Sequence, residues 1–350
     1  METGIIGLPL SGKTTIFNAL TGLSAETSSY SGGKKQLNIS EVTVPDERVD
    51  KLTELFKPKK KIYATLLVKD IPVAFDTQRG ILPSSLGEIR NSDTITIVLR
   101  AFEDRSIPHP LGEVNPARDF DKIIESLIFS DYEVVEKRLS RLQREGKKND
   151  REYHILEKIR NKLESGEVAG PDFLNDDELK VISGFRFLTI KPLLVVANLG
   201  EDKIELKELK DKTSELGLSL FPIRGEIEME ISQLPPEDQK DFLSDLGIEE
   251  PALKRFLREV YKTLNLISFF TVGEDEVRAW SITRGSTAQK AAGRIHTDLE
   301  KGFIRAEVIR WDELLELGGI HEAKKAGKVS VEGKEYIVRD GDVIVVRFNI

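Results

Sequence analysis

The chain has no cysteine among its 350 residues. Disulfides, thiolate metal sites and thiol redox switches are therefore excluded from its chemistry. That absence suits a reducing compartment, and a cytoplasmic protein is the expectation. No segment approaches the roughly 20 continuous apolar residues that cross a bilayer as a helix. The opening Met1-Glu2-Thr3 lacks the basic character of a secretory signal and runs directly into a strand-like segment. Positive charge is in the minority, with 52 Lys and Arg against 60 Asp and Glu and a net charge of −8. Such a balance argues against a protein that coats nucleic acid without preference, although a local basic face stays open. No repeat with a period of about 20–50 residues is found, and no low-complexity tract. What is present is a mixture 39% hydrophobic and 32% charged, long enough for a sizeable core in about two or three domains.

The N-terminal part alternates short β-rich runs with helical patterns, the signature of a parallel sheet with crossover helices. Gly4-Ile5-Ile6, Leu37 to Val44, Ile62 to Val68, Thr94 to Leu99 and Leu193 to Ala197 are the expected strands. The last is a continuous apolar run, as in a strand covered on both faces. Between Pro116 and Gly184 the period becomes helical. Phe120, Ile123, Ile124 and Leu127 lead to Val135, Leu139 and Leu142, and Tyr153, Leu156, Ile159 and Leu163 resume the pattern after a break at Gly146-Lys-Lys-Asn149. This reads as an inserted antiparallel α-helical hairpin. From Leu266 onward, Phe269-Phe270-Thr271-Val272, Ala279 to Ile282, Tyr336-Ile337-Val338 and Val343 to Phe348 are short strands around a helix over Thr287 to Gly293. The expected fold class is α/β: a nucleotide-binding domain over 1–117 and 185–265, the hairpin over 118–184, and a small α+β module over 266–350.

Gly7-Leu-Pro-Leu-Ser-Gly12-Lys13-Thr14 fits G-x-x-x-x-G-K-S/T between a strand and a helix, the context a P-loop requires. The glycines let backbone N–H groups turn inward toward phosphate oxygens, helped by the helix N-terminus. Gly7, Leu10, Ser11, Gly12, Lys13, Thr14 and Thr15 are thus the expected phosphate-site residues. Lys13 would reach the β- and γ-phosphates, and the Thr14 hydroxyl would ligate Mg²⁺. Asp70, closing Tyr63-Ala-Thr-Leu-Leu-Val-Lys-Asp70, is the candidate second acid of the metal site, although a strand-end aspartate often serves only a turn.

Read with the rest of the chain, these motifs resemble the YchF/Obg-like ATPase family. The resemblance runs through Gly4-Ile-Ile-Gly-Leu-Pro9, Gly12 to Thr21, Val44-Pro-Asp-Glu-Arg-Val49, Arg100-Ala-Phe-Glu-Asp104 and Leu264 to Thr271. It is most specific in Glu276-Val-Arg-Ala-Trp280, Ala291 to Asp298, Lys301-Gly-Phe-Ile-Arg-Ala-Glu307 and Asp340-Gly-Asp342. It implies a translation-factor-type P-loop NTPase domain with a mostly parallel sheet, an inserted helical hairpin, and a C-terminal ubiquitin-like β-grasp (TGS) domain. That last domain carries no phosphate- or base-reading motif, and is expected to be dispensable for nucleotide binding. The resemblance also implies ATP and ADP as ligands, with Mg²⁺. Related GTPases read guanine with N-K-x-D, whose aspartate accepts from donors that adenine lacks. Here Asn198-Leu199-Gly200-Glu201 is similar to the family's N-x-x-E, and Ile223-Arg-Gly-Glu-Ile-Glu228 to the later base-side loop.

The chain departs from the family in both switch segments. Ser28 to Lys35 offers no clear counterpart of the first-switch threonine. Asp70-Ile-Pro-Val-Ala74 replaces a glycine-rich second switch, so Pro72 lacks an N–H and Val73 stands where a γ-phosphate-sensing glycine is usual. For the water-orienting role the resemblance offers His109, whereas His296 reads as structural. Lys57, Lys59, Lys60 and Lys61, with Arg284, Lys290, Arg294, Lys301 and Arg305, supply local positive charge. The resemblance makes ribosome or rRNA contact through the helical and TGS domains the expected partnership, with a monomeric chain and no membrane. The expected function is a slow Mg²⁺-dependent ATPase switch. A non-hydrolysing nucleotide-bound adaptor and a GTPase proper are the alternatives.

Overall fold

The longest continuous apolar run of the sequence, Leu193 to Ala197, becomes an inner strand of a mostly parallel sheet. A computed structural model describes residues 1–25, 37–78, 80–202, 204–247 and 249–349. The chain divides into Met1–Glu41 with Leu67–Thr263, and Val42–Leu66 with Leu264–Ile350. In the first unit the strand order is Asn38–Val44, Ala64–Asp70, Glu2–Ile6, Thr94–Ala101, Leu193–Leu199, Ser219–Ile223. Glu2–Ile6 pairs in parallel with both of its neighbours, as Leu193–Leu199 does with its own. Thr94–Ala101 is buried at every position, Thr94, Thr96 and Arg100 included, as in a strand covered on both faces.

Helix Pro116–Arg144 begins where its sequence says it should. Asn115 caps it by accepting from the Arg118 N–H, and Pro116 takes the first helical position, where the missing N–H costs nothing. Its first turns do not belong to the hairpin alone. Ala117, Phe120, Ile123, Ile124 and Leu127 lie in the core beneath the sheet with Ile6, Ile95, Ile97 and Val195. The hairpin core proper starts at Val135 and joins Leu139 and Leu142 to Tyr153, Leu156, Ile159 and Leu163 of helix Arg151–Glu164. Midway, the buried Asp131 carboxylate accepts from Arg90 at 2.8 Å and from both the N–H and hydroxyl of Thr189 at 2.8 Å. Ser130 takes a second contact from Arg90 at 2.7 Å.

The second unit holds the largest difference from the sequence reading, which places 42–66 in the nucleotide domain. Its six-stranded sheet runs Ser330–Glu332, Phe303–Arg310, Asp342–Phe348, Leu266–Val272, Glu276–Thr283, Lys60–Ile62. Lys60–Ile62 pairs in parallel with Glu276 to Arg278. Helix Glu47–Phe56 brings Val49 and Leu52, both fully buried, against Phe270, Val277, Leu314 and Val343. The expected single strand Ile62 to Val68 is therefore broken at Tyr63, and its two halves serve different sheets. Tyr336-Ile337-Val338 forms no strand, only a bridge from Ile337 to Thr287. The expected helix is present over Ala288–Ile295 with Thr287 as its cap. His296 caps the next short helix by accepting from the Asp298 N–H at 3.2 Å. Two lysines of the basic run are paired within this unit, Lys59 with Asp275 and Lys61 with Asp50, each at 2.8 Å.

Candidate functional site

Parallel strands that end in register place the loops after them along one edge. Ile5 pairs with Asp70, Ile6 with Ile97, Arg100 with Asn198, and Asn198 with Ile223. The glycine loop, the Asp70 segment, Asn198 to Glu201 and the Arg224-Gly225 turn consequently share the carboxyl edge of the sheet, where open α/β folds bind ligands.

At that edge Gly12 ends the loop with φ 84° and no side chain caps helix Lys13–Thr21. Its first-turn N–H groups thus have no side-chain oxygen bound to them from the cap position, which suits an anion. Gly7 is required by packing, because a Cβ there would stand 2.2 Å from the Val98 carbonyl oxygen. Leu10 holds φ 64°, an unusual value for a non-glycine residue. Lys13 curls back over its own loop, donating to the Gly7 and Leu8 carbonyls at 3.0 and 2.9 Å. Ser11 is buried, with a hydroxyl that finds no partner among the described residues. Thr15 is half-buried in the first turn.

Thr14 and Asp70, 56 residues apart, meet through a 2.7 Å hydrogen bond from the hydroxyl to the carboxylate. The same carboxylate oxygen lies 3.4 Å from the Asn38 amide nitrogen. Asn38 escaped the sequence reading because a polar residue opening a strand carries no local signal. The stretch Ser28 to Lys35 lies outside the described residues.

Asn198 is a bridge between loops. Its amide donates to the Ser11 carbonyl at 3.2 Å and accepts from the Gly225 N–H at 3.1 Å. It ties the glycine loop to the Arg224-Gly225 turn, while Leu199 and Gly200 are half-buried and Glu201 is exposed.

The second switch is anchored by apolar burial. Ile71 and Val73 are in the core with Ile81, Leu86 and Ile89. Ala74 donates to the Ser85 hydroxyl at 2.8 Å, Phe75–Asp76 pairs with Gly80–Ile81, and the Ile81 N–H donates to Ser126 at 3.1 Å on the long helix. His109 is likewise held. Its Nε2 lies 2.8 Å from Asp119, and its Nδ1 accepts from the Leu111 N–H at 3.1 Å. With Nδ1 accepting, the Nε2 hydrogen is directed at Asp119. That arrangement fixes the loop to the start of helix Pro116–Arg144, so a water-orienting role requires the loop to rearrange.

The sequence profile of a family described as "50S ribosome-binding GTPase" matches residues 2–130, and that of the YchF GTPase C-terminal family, described as a protein of unknown function, matches 266–349. The chain is 42% identical over 360 residues to the ribosome-binding ATPase YchF of Pasteurella multocida, covering 100% of this chain and 99% of that protein. With the ribosome-binding ATPase YchF of Bacillus subtilis the identity is 39% over 364 residues, covering 100% of both. The structure of the Schizosaccharomyces pombe YchF GTPase superposes with a TM-score of 0.83 at 32% identity, covering 99% of this chain and 97% of that one.

Proposed function

The chain belongs to the YchF family, and from that premise we propose that it is a cytoplasmic, ribosome-binding ATPase whose nucleotide sits at the carboxyl edge of the first sheet. The observation that carries this reading is the Thr14–Asp70 contact of 2.7 Å beside the uncapped helix start at Lys13. A hydroxyl whose hydrogen is committed to a carboxylate keeps its oxygen lone pairs for a hard cation, and both groups are the oxygen donors that Mg²⁺ takes. Thr14 would hold the ion, with Asp70 orienting the hydroxyl. When bound, the ion supplies neutralisation of phosphate charge. Lys13 supplies a charge-assisted contact to phosphate from within the loop.

Two substitutions separate these roles. Lys13→Ala is expected to weaken ATP binding by roughly 1.5–3 kcal/mol with or without Mg²⁺. Thr14→Ala should weaken it only when Mg²⁺ is present. Calorimetric titrations in Mg²⁺ and in chelator decide the matter, and an equal loss for Thr14→Ala in both buffers would remove the metal assignment.

Base choice follows Glu201. We expect ATP to bind more tightly than GTP, and Leu199→Lys with Glu201→Asp to shift preference toward GTP. Tighter GTP binding by the unaltered chain would overturn the base-loop assignment of Asn198, Leu199, Gly200 and Glu201.

The buried second switch favours a second reading, a nucleotide-bound adaptor. Pro72 and Val73 supply no mobile glycine N–H for the γ-phosphate, and His109 is engaged on both ring nitrogens. Single-turnover phosphate release, with and without ribosomes, distinguishes the two. Slow release that ribosomes accelerate supports the switch, and ATP bound without release in either condition supports the adaptor.

A further inference from the structure

The Asp70 carboxylate is held from two directions. Thr14 donates its hydroxyl hydrogen to Oδ2 at 2.7 Å, and the Asn38 amide nitrogen approaches the same oxygen at 3.4 Å. Asn38 opens strand Asn38–Val44, and Asp70 closes its neighbour in the sheet, Ala64–Asp70. Adjacent strands thus bring together two residues that stand 32 apart in the chain. Asp70 is 5% exposed, and Asn38 is half-buried beside it. The other carboxylate oxygen, Oδ1, takes no hydrogen bond among the described residues.

A carboxylate turns easily about its last torsion, which has no sharp staggered wells. A single donor leaves it free to swing about that one contact. Two donors from different strands and helices on one oxygen settle its plane, and with it the direction of Oδ1. The residue type at position 38 suits that task. A lysine or arginine there would offset the negative charge that a cation needs, and an acid would repel Asp70. An asparagine donates an N–H and leaves the carboxylate charge whole. The amide nitrogen is assigned to the Asp70 side because the flipped amide would set oxygen against oxygen. Side chains one step outside a metal's own ligands orient those ligands, and their loss is felt in metal affinity.

We propose that Asn38 is a positioning residue for the magnesium side of the site, orienting Asp70 and so setting how readily Mg²⁺ is taken up with ATP. The proposal rests on the nucleotide-site reading above, in which Thr14 holds the ion. It gives a duty to a polar strand residue that lies outside both the phosphate loop and the base-reading loop.

The test follows ATP binding to the full chain by calorimetry across a Mg²⁺ titration. Electron paramagnetic resonance of Mn²⁺, added with ADP, gives the metal affinity directly, and circular dichroism checks folding. Asn38→Ala is expected to leave ATP affinity in chelator unchanged and to raise the Mg²⁺ midpoint about ten-fold, the size typical of a lost partner just outside a metal's ligands. Asn38→Asp keeps the shape and adds a second acid. It should move the midpoint downward, and should weaken ATP in chelator because the new charge then faces phosphate uncompensated. Mn²⁺ affinity should follow the same two directions. A packing role would instead shift both variants the same way, with equal losses in Mg²⁺ and in chelator. That result would overturn the proposal, as would an unmoved midpoint in Asn38→Ala. If Asn38→Ala fails to fold, the direction of the Asn38→Asp shift decides. Thr14→Ala, run alongside, separates this inference from the reading beneath it. An unmoved midpoint in Thr14→Ala removes the metal assignment itself, whereas a shift there with none in Asn38→Ala sinks the Asn38 role alone.

Discussion

Gly12→Ala is expected to abolish useful ATP binding, with an affinity loss of at least about 100-fold, ~2.7 kcal/mol. Two effects add. At φ 84° an alanine pays for a left-handed conformation, about 1–2 kcal/mol. The new methyl would also stand 2.1 Å from the Asn198 amide nitrogen. Asn198 cannot give way cheaply, since it holds the Ser11 carbonyl and the Gly225 N–H together. Its displacement separates the glycine loop from the Arg224-Gly225 turn. Gly112→Ala is the matched control, with φ 91° and nothing within 4 Å of the added carbon. It carries the conformational cost without the collision and should bind ATP normally. Titration of both variants checks this, and near-native binding by Gly12→Ala would show that the bridge is dispensable.

The second large effect concerns a chain cut after Thr263. The C-terminal module lacks nucleotide-reading motifs, and the sequence alone leads to the expectation of a clean excision. The structure gives a different expectation. Val49 and Leu52 are fully buried against Phe270, Val277 and Leu314, and half-buried Phe56 packs on the same core. Burial of a Val or Leu side chain stabilises by about 1.5–3 kcal/mol, so exposing these two forfeits roughly 3–6 kcal/mol. The truncated chain should aggregate or bind a hydrophobic dye, and Val49→Ser with Leu52→Ser should restore solubility. Size-exclusion chromatography is the readout. A truncated chain that elutes as a well-behaved monomer and binds ATP without those two changes would contradict the expectation.

These two expectations mark what sequence reading reaches. The glycine loop, its helix and Asp70 were legible because a P-loop is a local motif whose geometry is set by adjacent residues. The buried strand at Leu193 was legible as an apolar run, and the strand at Thr94 as a β-rich one. Helix Glu47–Phe56 was not assigned to the C-terminal module because an amphipathic face shows only that something covers it. Its cover lies more than 200 residues on, as the separation of 216 between the paired Lys59 and Asp275 shows. The break at Tyr63 was hidden for the same reason, one apolar run feeding two sheets. Asn38 had no signal beyond composition, and Arg100-Ala-Phe-Glu-Asp104 was legible only as part of the resemblance. His109 was found through resemblance, and only the structure shows how firmly Asp119 and Leu111 hold its ring.

Helix Pro116–Arg144 has 29 residues, and at ~1.5 Å per residue it is about 43 Å long. Seated in the sheet core at one end and in the hairpin core at the other, it is a lever. Its fulcrum is the polar cluster where Ser126 receives Ile81 and Asp131 receives Arg90 and Thr189. From Asp131 to Arg144 the free arm is about 20 Å. A tilt of about 5° at the fulcrum would carry the hairpin end by nearly 2 Å, as rigid geometry at ~1.5 Å per residue requires. Ile81, on the strand paired with Phe75–Asp76 after the second switch, meets that fulcrum through Ser126.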